Sequence, residues 1–310
     1  MTSAKGLDRN VRFVVTGPSG WIGQAFMAHV ASRLAVPGAQ LVLADRVTAF
    51  ASTARDMVLP WGDRLPVRAL ESICPDDVAG AHVVHLAYLT KEKAAQLGER
   101  RFMDVNLGID DALLAAIAAA KPASLFVASS GAAKLAARGS DLHPYGFAKL
   151  MQEDRFLAWG RASAVPVVAG RIFNVAGPYI NKVEAYAISN MVQQAMHTGI
   201  ITIKAQVPVF RSFIHVDDLC GLIANAAIGS IDRAAPIDLC GAEIVEMEDL
   251  AVGIAKAFKR NITIARGSVD FTGESSYLGE FPHTKTFAMQ TGITLRGLQS
   301  CISDTLACLT

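Results

Sequence analysis

Short apolar runs alternate, through the first half of the chain, with longer stretches whose apolar residues recur at helical spacing. Residues 11–16 (VRFVVT) make the first run and end in a glycine-rich turn. Residues 21–34 then carry helical spacing, and residues 40–45 (QLVLAD) read as the next strand, ending in an acid. Two more runs, 82–87 and 124–129, flank a long alanine-rich helix over roughly 99–120. A helix is predicted over 145–160 and a strand over 165–171. Strands apolar at nearly every position are those covered on both faces. Their alternation with helices predicts α/β architecture, built from βαβ units as a doubly wound parallel sheet.

Beyond residue 175 the rhythm loosens. Helical segments at 184–197, 216–227, 247–259 and 295–309 are joined by short strands and loops. The expected organisation is a first domain over 1–175, built from the alternating pattern, and a smaller, mostly helical region over 176–310. That region is expected to be discontinuous, with 209–218 and 237–239 returning to the first domain.

Composition narrows the functional classes. The chain has 310 residues, 52% hydrophobic and 18% charged, which excludes a disordered chain. A formal charge of +1, without a run of Lys or Arg, gives no support to a nucleic-acid or membrane-surface role. The mean hydropathy of +0.33 is high, but the longest apolar runs, such as 112–120 and 219–228, fall short of the ~20 residues that span a bilayer. The opening MTSAKGLDRN lacks the apolar core of a signal peptide. Cys74, Cys220, Cys240, Cys301 and Cys308 are scattered without a CxxC, so a reduced cytoplasmic protein with core cysteines and no metal site is expected.

The turn after the first strand carries Gly17, Gly20 and Gly23, spaced GxxGxxG. The first permits a tight turn, the second lets a pyrophosphate approach the backbone, and the third lets helix and strand lie close. N–H groups at the helix start, aided by the helix dipole, then face an anion. Asp45, at the expected end of the second strand, is placed to accept both ribose hydroxyls of NAD. Arg46 beside it is placed to stack on adenine or to pair with the 2′-phosphate of NADP. NAD is the expected cofactor, with NADP as the alternative.

The stretch YGFAK puts Tyr145 and Lys149 four residues apart, on one helix face. A free Tyr, with a pKa near 10, is a poor base at neutral pH. Lowering it by ~3 units takes roughly 4 kcal/mol of differential stabilisation of the phenolate. A nearby ammonium and a cationic nicotinamide are suitable sources.

Taken with their neighbours, these motifs resemble the extended short-chain dehydrogenase/reductases, the nucleotide-sugar epimerase/dehydratase family. TGPSGWIG matches the family's glycine motif, HLAY (85–88) its fourth-strand signature, and VNLG its structural Asn, here Asn106. VASSG supplies Ser129 and Ser130, YGFAK matches YxxxK, RIFNVAGP (171–178) resembles RxFNVxGP, and FRSFIHVDDL (210–219) resembles RDFIHVDD. The motifs keep the family's order over most of the chain.

The resemblance implies a Rossmann domain and a catalytic set of Ser130, Tyr145 and Lys149. Tyr145 would exchange a proton with a sugar hydroxyl or ketone, Ser130 would hold the same oxygen, and Lys149 would bind the nicotinamide ribose and depress the Tyr pKa. The implied cofactor contacts are Gly17, Ser19, Gly20, Trp21, Ile22, Gly23, Asp45, Arg46, Leu86, Ala87, Asn106, Tyr145 and Lys149. The implied substrate contacts are Ser130, Asn174, Arg211 and Arg266, with the two arginines on a nucleotide diphosphate. His215, Asp217 and Asp218 are expected to shape a turn and cap the following helix. A homodimer through paired helices is also implied, and the alanine-rich 112–120 segment allows close packing.

The chain departs from the family in places. The adenine-contacting Asp after the third strand is replaced near Ala69 or Leu70, the Asp after Arg211 is Ser212, and IKAQVPVF replaces a glycine-rich turn. Ser130 is followed by Gly131, Ala132 and Ala133 rather than an Asp-Glu pair, which removes the acid and base of a 4,6-dehydratase. The expected activity is an NAD(P)-dependent nucleotide-sugar epimerase or oxidoreductase acting at C4. The alternatives are an NAD(P)H-dependent 4-keto-6-deoxysugar reductase and, of another class, a non-catalytic NAD(P)-binding protein.

Overall fold

The computed structural model describes residues 10–34 and 43–310 and divides into two units: residues up to Arg171 with Cys220–Ile237, and Ile172–Leu219 with Asp238–Thr310. The segment that returns to the first unit is thus 220–237. Residues 209–218, expected there, belong to the second unit.

In the first unit β1 (Phe13–Thr16) leads into α1 (Trp21–Leu34), followed by β2 (Val47–Ala51), β3 (Arg55–Val58) and β4 (Arg64–Ala69). A short α2 (Pro75–Val78), β5 (His82–His85), α3 (Glu92–Leu97) and the long α4 (Glu99–Ala119) come next. They are followed by β6 (Ser124–Ser130), α5 (Gly131–Ala137), α6 (Pro144–Ser163) and β7 (Val167–Ile172). The strands lie in the order β7-β6-β5-β1-β2-β4-β3. Beyond β7 the sheet adds β11 (Ile237–Leu239), whose first residue closes the unit. β1 pairs in parallel with both β2 and β5, so the chain winds outward on one side of β1 and resumes on the other. Such a switch point leaves a crevice at the carboxyl ends of its strands. All four residues of β1 and all seven of β6 are buried, as strands covered on both faces require. Val14, Val83, Leu125 and Val127 pack there with Leu113, Ile117 and Phe156 from the helices.

The second strand is displaced from its expected position. Residues 40–42 lie outside the described set, and Leu43–Asp45 form a 3₁₀ turn. The strand in register with β1 is Val47–Ala51. Asp45 and Arg46 therefore precede it, and the Arg46 carbonyl accepts from the N–H of Phe13, at the start of β1. This is the end of the sheet opposite the glycine turn.

The second unit contains β8 (Asn174–Ala176), α7 (Ala187–Thr198), β9 (Ile200–Ile203), β10 (Val209–His215) and the start of α8 (Val216–Ile228). It continues with β12 (Ile244–Glu246), α9 (Met247–Ala257), β13 (Thr263–Arg266), β14 (Ser275–Tyr277), α10 (Phe281–Thr291) and α11 (Leu298–Leu309). β10 pairs with β8, β12 and β14. A separate core of Ile188, Val192, Ile201, Leu250, Ile254 and Ile302 holds the helices together. No helix among the described residues is long and apolar enough to cross a membrane.

Candidate active site

The glycine turn has the shape that a dinucleotide requires. Gly17 has φ +75° and donates its N–H to Phe50 O at 2.8 Å, and a Cβ on it would lie 2.8 Å from Ala87 N. Only glycine fits both conditions. A Cβ on Gly23 would overlap Gly17 O and Pro18, so this residue sets the approach of α1 to the turn. At Gly20 the nearest atom would be Gly17 O at 3.5 Å, which leaves room above the backbone. The turn opens onto α1, whose first N–H groups lack intrahelical acceptors. The residues present therefore fit a pyrophosphate at the switch point. Leu86 and Ala87 leave β5 beside Gly17, with the Ala87 N–H on Thr16 Oγ1 at 3.1 Å.

Ser130 ends β6 and caps α5, its Oγ accepting from Ala132 N at 3.2 Å. Tyr145 opens α6 after Pro144, and His143 Nδ1 accepts the Tyr145 N–H at 3.1 Å. The two helices touch because residue 146 is glycine: a Cβ there would lie 2.8 Å from Ala132 O and 3.0 Å from Ala136 Cβ. Gly146, which pattern reading passed over, thus sets the distance between the Ser130 and Tyr145 helices. Gly146→Ala forces α6 off α5; an expected loss of about 1–3 kcal/mol is readable by urea unfolding, with a larger fractional loss of turnover than of cofactor affinity.

Lys149, one turn along α6, is 3% exposed. Its ammonium donates to Ala128 O at 2.6 Å and to Gln152 Oε1 at 2.9 Å, and lies 3.7 Å above the Tyr88 ring. Burial pulls its pKa down to about 7, against the opposing charges of Asp110 and Glu153. The contacts continue inward. Gln152 Nε2 donates to Asp110 Oδ1 at 2.7 Å, His85 Nε2 lies 3.2 Å from that same oxygen, and His85 Nδ1 lies 2.7 Å from Thr16 Oγ1. A buried chain of polar groups thus links the strand before the glycine turn to Lys149. Ser129 is committed elsewhere, donating to Glu153, which also takes two bonds from Arg171.

Tyr88 ring-stacks edge-on against Tyr145 with centroids 6.4 Å apart. Its hydroxyl is buried without a partner, and burial pushes its pKa up. Asn106 accepts the Leu89 N–H at 2.8 Å and leaves its buried Nδ2 unpaired. The orphaned Nδ2 of Asn106 is consistent with a site completed by a ligand. Lys134, four residues after Ser130 on α5, is 8% exposed and is a further buried amine that pattern reading missed.

Asp45 and Arg46 are not brought to this site, for the register reason given above. Ala69 ends β4 and Leu70 is buried, so no carboxylate stands at the expected adenine contact.

In the second unit, Asn174 begins β8 and donates to Ser212 O at 3.2 Å. Arg211, on β10, donates to the carbonyls of Phe210 and Ser275, stacks 6.0 Å from Tyr277, and has no carboxylate partner among the described residues. Arg266 is clasped by Glu246 at 2.9 and 3.0 Å and by Glu248 at 3.2 Å. Although burial opposes it, Arg266 helps hold the Glu246 carboxyl at about 2. His215 Nδ1 accepts from Asp217 N, as a turn, but Asp218 binds Arg296 rather than capping α8. The described residues contain no His, Cys, Asp or Glu group able to hold a metal. None of the five cysteines is in a disulfide; Cys220, Cys240 and Cys301 are buried.

Known proteins share this architecture. A model of the NAD dependent epimerase/dehydratase family matches residues 13–229. UDP-glucuronic acid decarboxylase 6 of Arabidopsis thaliana is 25% identical over 120 residues, which are 39% of this chain and 34% of that one. The match thus spans about a third of that relative. The structure of UDP-glucose 4-epimerase from Brucella ovis, in complex with NAD, superposes with a TM-score of 0.72 at 17% identity, covering 96% of this chain and 98% of that one. The structure of RMD from Pseudomonas aeruginosa, complexed with NADPH, gives 0.69 at 20% identity with the same coverage. At these identities the two structures show a common fold.

Proposed function

Because the chain belongs to the NAD dependent epimerase/dehydratase family, we propose that it moves hydride at a sugar carbon, C4, of a nucleotide-activated hexose or deoxysugar. Membership makes it an NAD(P)-dependent enzyme of the extended short-chain dehydrogenase/reductase type. The observation that carries the reading is the buried seat of Lys149 on α6, one turn from Tyr145, with Ser130 at the tip of the strand that supplies the Ala128 carbonyl.

The nicotinamide, when bound, supplies the hydride acceptor and donor. Tyr145 takes the proton from the sugar hydroxyl or returns it to the ketone. Ser130 hydrogen-bonds the same oxygen and holds it in line. Lys149 binds the nicotinamide ribose, and its ammonium stabilises the Tyr145 phenolate. Arg211, a cation that donates to the carbonyls of Phe210 and Ser275, is the residue we assign to the nucleotide diphosphate, with Asn174 on the sugar side. Arg266 spends its charge on Glu246 and Glu248, and a diphosphate would have to displace them. Dehydration is not favoured, since α5 begins Gly131-Ala132-Ala133.

The second reading, a 4-ketoreductase, uses the same three residues and differs in whether the cofactor leaves after each turnover. Purification without added cofactor, denaturation and chromatography of the released nucleotide separates the two. Stoichiometric NAD is the result expected of an epimerase. An empty protein that binds reduced cofactor on titration points to the reductase, and one that binds neither overturns both readings.

A cytoplasmic homodimer completes the proposal. Phe147 and Met151 are exposed four residues apart on α6, and Ala115, Ala118 and Ala119 are exposed on α4, which packs beside it. A light-scattering mass near the 32.9 kDa of one chain at micromolar concentration would count against pairing through these helices.

A further inference from the structure

The register of β2 changes what stands at the adenosine end of the cofactor site. In a dinucleotide-binding fold of this kind, the residue that meets the ribose 2′ position lies just past the carboxyl end of the second strand. A carboxylate there accepts the 2′-hydroxyl, and an arginine there accommodates a 2′-phosphate. Gly17 N–H bonds to Phe50 O, which fixes the carboxyl end of β2 beside the glycine turn. The residues that follow are Ala51, Ser52, Thr53, Ala54 and Arg55, with no acid among them. Arg55 is exposed, and its Nη2 donates to Ser19 Oγ at 3.0 Å, inside the glycine motif itself. Its Nη1 lies 3.4 Å from both the carbonyl and the hydroxyl of Thr53. No carboxylate pairs with Arg55 among the described residues. The nearest acid in sequence, Asp56, is the next residue of β3, and successive strand side chains point to opposite faces. The other guanidinium at this edge, Arg68, lies over the Phe50 ring and is neutralised by Asp77.

Resting on the NAD(P)-enzyme reading above, we propose that this chain selects NADP(H). In this arrangement the guanidinium of Arg55 and the hydroxyls of Ser52 and Thr53 form the 2′-phosphate site, and Asp45 and Arg46 take no part. A guanidinium held by hydroxyls and a carbonyl rather than by a carboxylate keeps its charge available. A phosphate with three acceptor oxygens uses that charge better than a ribose hydroxyl does. The same residues offer NAD no carboxylate for its two hydroxyls. Preference for NADP(H) in turn favours exchange of the reduced cofactor at each turnover, and so the ketoreductase reading over the epimerase one.

The test is binding of NADPH and NADH to the full chain, followed by nucleotide fluorescence and by calorimetry, without any sugar substrate. The expected result is NADPH bound at least tenfold more tightly than NADH, with the difference shrinking as salt is raised. Arg55→Ala should weaken NADPH at least tenfold and leave NADH within about twofold, while Arg46→Ala leaves both unchanged. Arg55→Lys should keep part of the preference, which separates loss of the charge from damage to the fold. Equal affinities, tighter NADH, or an NADPH affinity indifferent to Arg55→Ala each overturn the assignment with the cofactor reading intact. A protein that binds neither nucleotide overturns both.

Discussion

Tyr145→Phe lowers turnover by about 10²–10⁴-fold or more, the range expected for loss of a positioned acid–base group, and leaves NAD(P) affinity within a few-fold of the parent. The substitution removes one oxygen. The ring that packs against Tyr88 stays, as do the His143 bond to its N–H and the Gly146 contact with α5. Neighbouring groups do not replace the lost phenol. Tyr88, the phenol stacked on Tyr145, has a buried hydroxyl whose pKa is pushed up by burial, so it stays protonated. Tyr88→Phe is therefore the matched control. It deletes a hydroxyl that bonds to nothing, keeps the ring over Lys149, and should turn over near the parental rate. Equilibrium titration with reduced cofactor, beside steady-state assays on nucleotide sugars and their 4-keto forms, reads both quantities. A Tyr145→Phe enzyme working at the parental rate would remove Tyr145 from the mechanism.

The strands legible from sequence are those buried on both faces: every residue of β1 and β6 is buried, as are Val83, Val84 and His85 of β5. The second strand was misplaced for a physical reason. QLVLAD and VTAFA are equally apolar and stand next to each other, and the first ends in the acid that a dinucleotide fold calls for. The choice between them is made by long-range bonds, Phe13 N to Arg46 O and Gly17 N to Phe50 O, which no local pattern contains. The polar chain behind Lys149 was hidden for a related reason. Gln152 and Asp110 read as helix-surface residues until α4 packs on α6. A trace was nonetheless present. Phe102, Asn106, Asp110, Leu113 and Ile117 share the buried face of α4, so two polar residues occupy apolar positions of that stripe. His85 is likewise a polar residue at a buried position of β5. Buried polar residues on a core-facing stripe require partners, and here the partners lead to the catalytic lysine.

That buried chain carries the second large effect, a pH dependence set by Lys149. Burial holds the Lys149 pKa at about 7 in the protein as it stands, while an unfolded lysine keeps its proton up to about 10.4. Between those values the unfolded chain binds the extra proton. Lys149 therefore makes stability rise with pH through that window, by at most about 1.4 kcal/mol per pH unit, and below pH 7 it imposes a constant penalty. Lys149→Met removes this contribution. Relative to the parent, the variant should be most stabilised at pH 6 and progressively less so toward pH 10, as read by urea unfolding at several pH values, while its turnover falls by orders of magnitude. Asp110→Asn acts on the same group in the opposite sense. Its carboxylate, reached through Gln152, supports the ammonium against burial, with His85 and Arg155 as its other charged or titratable neighbours. With that charge gone, Lys149 releases its proton at lower pH, the Tyr145 phenolate loses its cation, and the acid limb of the kcat/KM profile for alcohol oxidation moves upward by about one unit. Because asparagine keeps an oxygen to accept from Gln152, the helix contacts survive and the profile reports charge rather than folding. An acid limb that stays in place in Asp110→Asn would show that the buried chain has no hold on the catalytic tyrosine, and Lys149 would then owe its charge state to the bound cofactor alone.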